Sequence, residues 1–72
     1  MNMTREEACE RLSKVIQKDG YVDVAYKLRC SVSQLYLISR GKRKPNLHLA
    51  CLIESLYSIP VQIWDKHING HL

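Results

Sequence analysis

Apolar residues recur along most of this chain at intervals of three and four, the period of helices that bury one face. Ala8, Leu12, Val15 and Ile16 form the first such stripe, with Arg5, Glu6, Glu10, Arg11, Lys14 and Lys18 on the remaining face. Thr4 to Glu7 has the T-x-x-E spacing of a capping box, so the helix opens there, and Gly20 supplies the left-handed residue that ends it. A second, short helix is expected over about Tyr21 to Leu28, with Val22, Ala25 and Leu28 inward. Asp23 suits the start of its dipole, and the small Ala25 lets a neighbouring helix cross closely. A third helix begins at Ser31 or Val32, with the Ser31 side chain as N-cap, turns Leu35 and Ile38 inward and runs to about Ser39. Gly41 stops it, and Pro45 keeps the connection that follows out of helix.

Asn46 is placed to cap a fourth helix from Leu47 to Tyr57, which carries two apolar stripes: Ala50, Ile53 and Tyr57, and Leu49, Leu52 and Leu56. Ile59 and Pro60 open a last short helix through roughly His67 with Val61, Ile63, Trp64 and Ile68, and Gly70 ends it ahead of a mobile tail at about 69–72. No strand alternation, internal repeat or low-complexity stretch interrupts this pattern. The expectation is an all-α chain of five helices in one domain, residues 1–72.

Size and charge sharpen the picture. A chain of this length buries only about 60% of its unfolded surface, and both stripes of the fourth helix are hard to bury within one copy. Leu49, Leu52, Ile63, Trp64 and Ile68 are therefore candidates for a two-fold contact, with Trp64 equally a core candidate. The composition, 46% hydrophobic and 25% charged, is that of a folded protein. The net charge of +4 is unevenly spread: no acidic residue occurs between Asp23 and Glu54, whereas Lys27, Arg29, Arg40, Lys42, Arg43 and Lys44 all fall in that window. Within it, Ala25 and Leu28, a polar break at Arg29 to Ser31, then Leu35 and Ile38 outline a helix-turn-helix over about 21–40, and the surrounding field suits a polyanion. The working expectation is a reader of DNA.

Other chemistry is sparse. Cys9, Cys30 and Cys51 are odd in number and form no C-x-x-C pair, which points to reduced, mostly buried thiols in a cytosolic protein. No apolar run approaches the ~18 residues of a membrane span, and no secretory or transit segment is evident. His67 and His71 are four apart, but Gly70 lies between them and no third metal ligand is evident; His48 belongs on the exposed side of the fourth helix. With no nucleophile motif and no glycine-rich phosphate loop, neither an enzyme nor a cofactor is expected.

The segment AYKLRCSVSQLYLISRGKRKP, from Ala25 to Pro45, resembles the helix-turn-helix of phage Cro and repressor proteins, the Xre-type family, at Ala25, Leu28, the Ser31 turn, Leu35, Ile38 and the closing GKRKP. Asn46 to Ile59 and Val61 to Trp64 resemble that family's fourth and fifth helices, so the likeness covers nearly the whole chain. It implies a five-helix, lambda-repressor-like domain acting as a sequence-specific transcriptional regulator, a Cro-like repressor bound as a homodimer to a palindromic operator in double-stranded DNA. The compartment implied is the cytoplasm of a bacterial or phage-infected cell. The family also includes antitoxins, so a toxin is a possible protein partner.

The resemblance assigns Val32, Ser33, Tyr36 and Leu37 to the major groove. Ser33 has a hydroxyl for a base edge, Val32 and Leu37 suit thymine methyls, Tyr36 suits either, and Arg40 at the helix end suits a base or a phosphate. Tyr21, Ser31, Gln34, Lys42, Arg43 and Lys44 are the phosphate candidates. Two departures stand out: Arg29 occupies a turn position that the family usually gives to glycine, which implies either backbone strain or an altered turn, and the groove-facing set lacks bidentate readers such as Arg or Asn. The rival expectation is a protein-interaction module on the same fold, with Val32, Tyr36 and Leu37 as its apolar patch.

Overall fold

The computed structural model describes residues 3–64, and over them the chain is all-helical, with no strand. Four helices follow one another, α1 (Arg5–Asp19), α2 (Tyr21–Leu28), α3 (Val32–Ser39) and α4 (Leu47–Tyr57), and a further helical turn begins at 62–64. Residues 65–72, which hold Ile68, His67, His71 and the expected tail, lie outside the described residues.

Three helices start on a side-chain cap. The Glu7 amide donates to Thr4 Oγ1 at 3.1 Å while the Thr4 amide donates to Glu7 Oε1 at 2.8 Å, completing the capping box. The Gln34 amide donates to Ser31 Oγ at 3.0 Å, and the Leu49 amide to Asn46 Oδ1 at 2.8 Å. Such caps contribute about 1 kcal/mol each by satisfying amides that the helix itself leaves unpaired. α2 has no side-chain cap, because Gly20 both ends α1 and begins α2. Its amide donates to the Ile16 carbonyl at 2.7 Å and its carbonyl accepts from Val24 at 3.1 Å. Gly20 has φ 93° and ψ 150°, not the left-handed helical geometry expected of it but a region that only glycine occupies readily.

The connection from α2 to α3 keeps the tight form despite Arg29. The Cys30 amide donates to the Ala25 carbonyl at 3.0 Å and the Arg29 amide to Tyr26 at 3.2 Å, the paired bonds of a Schellman close, with Arg29 itself left-handed at φ 58°, ψ 43°. Of the two alternatives open at this position, the backbone takes the strained one. The end of α3 repeats the motif with glycine: Gly41 (φ 75°) donates to Ile38 at 3.0 Å and Lys42 donates to Leu37 at 2.9 Å. α4 ends on a left-handed Ser58, whose amide donates to Glu54 at 2.9 Å.

All four helices and the final turn contribute to one core. Ala8, Leu12 and Ile16 come from α1, Val24, Ala25 and Leu28 from α2, Leu35 and Ile38 from α3, and Leu49, Ala50 and Ile53 from α4, with Ile59, Ile63 and Trp64 closing it. α2 packs on α1, α3 and α4, so it is the central member. One expected core residue is replaced by its neighbour: Val22 is 75% exposed and Val24 is fully buried. Tyr21, Val24, Ala25 and Leu28 follow the helical i, i+3, i+4, i+7 rule, whereas Val22 lies about 200° around the helix from Val24. Val15 is only partly buried, with Ile16 inside instead.

The two stripes of α4 resolve into a single buried edge at Leu49, Ala50 and Ile53. Leu52 and Tyr57 are half-buried, and Leu56 stays 49% exposed. Leu49, Ile63 and Trp64, considered for a contact between copies, are thus core residues of the single chain, since Trp64 is large enough to close the core that α1 to α4 leave open. Of that set Leu52 keeps some exposure.

Arg29 provides a direct test of the strained turn. A left-handed L-residue costs about 1–2 kcal/mol, part of which glycine gives back through its freer unfolded chain. Arg29→Gly is expected to stabilise the protein by about 0.5–1 kcal/mol, raising its melting temperature by several degrees. A lowered melting temperature would show that Arg29 is not held in this conformation.

Candidate nucleic-acid interface

The outward side of α3 is set by what its inward side buries. Leu35 and Ile38 are fully inside, and Ser39, also buried, satisfies its hydroxyl by donating to the Tyr36 carbonyl at 2.9 Å. At helical spacing this turns Val32, Ser33, Tyr36, Leu37 and Arg40 to the other face. Val32 and Tyr36 are 43% and 44% exposed, Ser33 and Arg40 are exposed, and Leu37 is half-buried. The residues considered for base contact therefore share one surface, and four of them line one concavity of about 360 Å³ with Tyr21.

Tyr21 reaches this concavity from the start of α2. Half-buried against the core, its ring centroid stands 6.1 Å from that of Tyr36 with the planes inclined at 49°. The Arg40 guanidinium carbon is 5.5 Å from the Tyr36 ring centroid, within the range of a cation–π contact. Tyr36 thus has an aromatic neighbour from α2 and a cationic neighbour from its own helix end. The sequence alone groups Tyr36 with Arg40 among the candidates for base contact but leaves Tyr21 with the phosphate candidates. Tyr36 and Arg40 meet at i,i+4 spacing, whereas Tyr21 joins them only through the crossing of α2 and α3, which its position in the chain does not signal.

The remaining phosphate candidates surround this face unequally. Ser31 Oγ accepts from the Gln34 amide, which leaves its own hydroxyl proton to donate outward. Gln34 is half-buried, and Lys42 and Arg43 are exposed beyond the end of α3. Lys44 is half-buried instead, lining a hollow of about 220 Å³ with Pro45, Asn46, Leu47 and Trp64. Lys27 stands 3.4 Å from Asp23 in an exposed i,i+4 pair, so a neighbouring carboxylate offsets its field. Arg29 is exposed as well. The cations nearest α3 that face solvent are therefore Arg40, Lys42 and Arg43.

Behind the end of α3, Arg5, Glu6, Cys9, Ser39, Arg40 and Gly41 line another hollow of about 320 Å³. The Cys9 thiol donates to the Ile38 carbonyl at 3.6 Å, and burial pushes its pKa up although Arg5 pulls the other way. Burial alone raises that of Cys30. Both thiols are half-buried, and Cys51 is exposed on α4, which corrects the expectation of mostly buried cysteines. His48 is exposed on the same helix, as its position suggests. Among the described residues no His, Cys, Asp and Glu side chains come together in a group able to hold a metal ion, and no helix is long and apolar enough to cross a membrane.

Comparisons with protein-family models, with characterised proteins and with solved structures find no match for this chain.

The differing thiol environments have a measurable consequence. Under native conditions near neutral pH, an alkylating reagent is expected to modify Cys51 well before Cys9 and Cys30, with all three reacting alike once the chain is unfolded. Peptide mapping of the labelled sites against time reads the order directly, and early modification of Cys9 would contradict its packing against α3.

Proposed function

We propose that this protein is a sequence-specific double-stranded DNA-binding transcriptional regulator, a Cro-like repressor in which α2 and α3 act as the helix-turn-helix of a lambda-repressor-like domain. The observation that carries this reading is the assembly of Val32, Ser33, Tyr36, Leu37 and Arg40 on the outward face of α3, with exposed cations alongside and no acidic residue between Asp23 and Glu54. In this mode the first turns of α3 enter the major groove, and Ser31, Gln34, Lys42 and Arg43 hold the phosphates on either side. The compartment is that of DNA in a bacterial or phage-infected cell.

A single short helix reads too few base pairs for specific affinity, so the site is a palindrome occupied by two copies about one turn of DNA apart. With Leu49, Ile63 and Trp64 inside the core, the contact between copies draws on Leu52 together with the exposed Leu56, one helical turn further along α4.

The mainly apolar character of the concavity favours a second reading, in which the same face holds a protein partner, as in an antitoxin. Charge reversal separates the two. Lys42→Glu with Arg43→Glu is expected to abolish retention on DNA while leaving the fold intact, because both side chains are exposed. The unaltered protein should lose affinity with log salt at roughly −0.9 per phosphate, with about three to five phosphates per subunit. DNA retention by the doubly reversed protein would remove Lys42 and Arg43 from the interface, whereas no retention of the unaltered protein on any duplex, or a flat salt dependence, would reject the DNA-binding reading.

A further inference from the structure

The concavity beside Tyr36 is built differently from its surroundings. The side chains of its lining, Tyr21, Val32, Ser33, Tyr36 and Leu37, offer only the Ser33 hydroxyl and two phenols for hydrogen bonding, and most of its wall is apolar. The cations stand at the margin: the Arg40 guanidinium lies against the Tyr36 ring, and Lys42 and Arg43 follow in exposed loop. An apolar hollow with a cationic margin is complementary to a surface that is anionic at its edges and apolar at its centre. The DNA major groove has that character where a phosphate-flanked pyrimidine carries a C5-methyl group.

We propose that this concavity is a receptacle for thymine 5-methyl groups, and that Tyr21 is its wall and not a phosphate contact. The inference rests on the DNA-binding reading and names what the reading face selects. Tyr21 is suited to a fixed wall because its ring is half-buried on the core and packs against Tyr36 at 6.1 Å. Tyr36 in turn carries Arg40 at 5.5 Å from its ring centroid, so the far side of the hollow is braced too. Water molecules entering this hollow of about 360 Å³ would face mostly apolar side chains. A methyl group that displaces them gains affinity, whereas cytosine has only a hydrogen at C5 and leaves the hollow unfilled, with an amino donor where thymine has its O4 acceptor.

Thymine and uracil pair identically with adenine and differ by that methyl group alone, which makes the test direct. Duplexes that bind are selected from a random library at fixed salt, and each thymine of the recovered site is then replaced singly by uracil. At one or two positions in each half-site the change is expected to weaken binding about fourfold, the effect of losing one buried methyl group, with the other positions silent. Tyr21→Ser should lose the discrimination between thymine and uracil while the salt slope, which counts phosphate contacts, is not reduced. Circular dichroism checks that the serine variant is folded, and the uracil series does not depend on any variant.

Selected sites without thymine, or uracil tolerated at every position, would overturn the proposal while leaving DNA binding standing. A uniform loss of affinity with a shallower salt slope for Tyr21→Ser, its discrimination between thymine and uracil kept, would return Tyr21 to the phosphates and overturn its role as a wall. If no duplex is enriched, the DNA-binding reading fails, and the thymine receptacle fails with it.

Discussion

The orientation of α3 depends on the three residues between Leu28 and Val32. Arg29 must turn left-handed so that the amides of Arg29 and Cys30 can close α2, and only then does Ser31 arrive where its hydroxyl caps α3. Each step constrains the next, since a helix started one residue later would rotate by about 100° and bring different side chains to the surface. Leu28, Leu35 and Ile38 hold the result in place from inside. The strain at Arg29 is thus local and set against a cap, two closing hydrogen bonds and a shared core, which together outweigh a cost of about 1–2 kcal/mol.

Much of this architecture was legible in the residues, for identifiable reasons. Thr4, Ser31 and Asn46 are capping side chains followed at the right interval by apolar periodicity, and each caps a helix in the structure. Gly20 and Gly41 mark ends because few other residues tolerate their backbone angles. Legibility failed where two helical phases competed. Val22 and Val24 are chemically identical, and only the phase shared with Tyr21, Ala25 and Leu28 puts Val24 inside. On α4 apolar residues outnumber the buried positions, so their pattern alone could not tell core from surface at Leu49 or Leu56.

The candidate site was readable one residue at a time but not as a shape. Spacing put Val32, Ser33, Tyr36, Leu37 and Arg40 on one side of a helix, a property of that helix alone. The concavity needs a second helix, because Tyr21 contributes across the α2–α3 crossing and the angle of that crossing follows from core packing. Likewise the loop GKRKP reads as a uniform run of charge, yet Lys42 and Arg43 face solvent while Lys44 is partly enclosed beside α4. Burial divides the run between electrostatic reach and local structure.

Trp64 gives the molecule a temporal order as well as a core. Its side chain is the largest that is fully buried, and it comes at the far end of the described chain, whereas α1, α2 and α3 follow one another through very short connections. As the chain leaves the ribosome, the helices that position the outward face of α3 can meet through contacts close in sequence before Trp64 is available. The last addition is then a seal, and until it arrives the core that the earlier helices have gathered lacks its largest side chain.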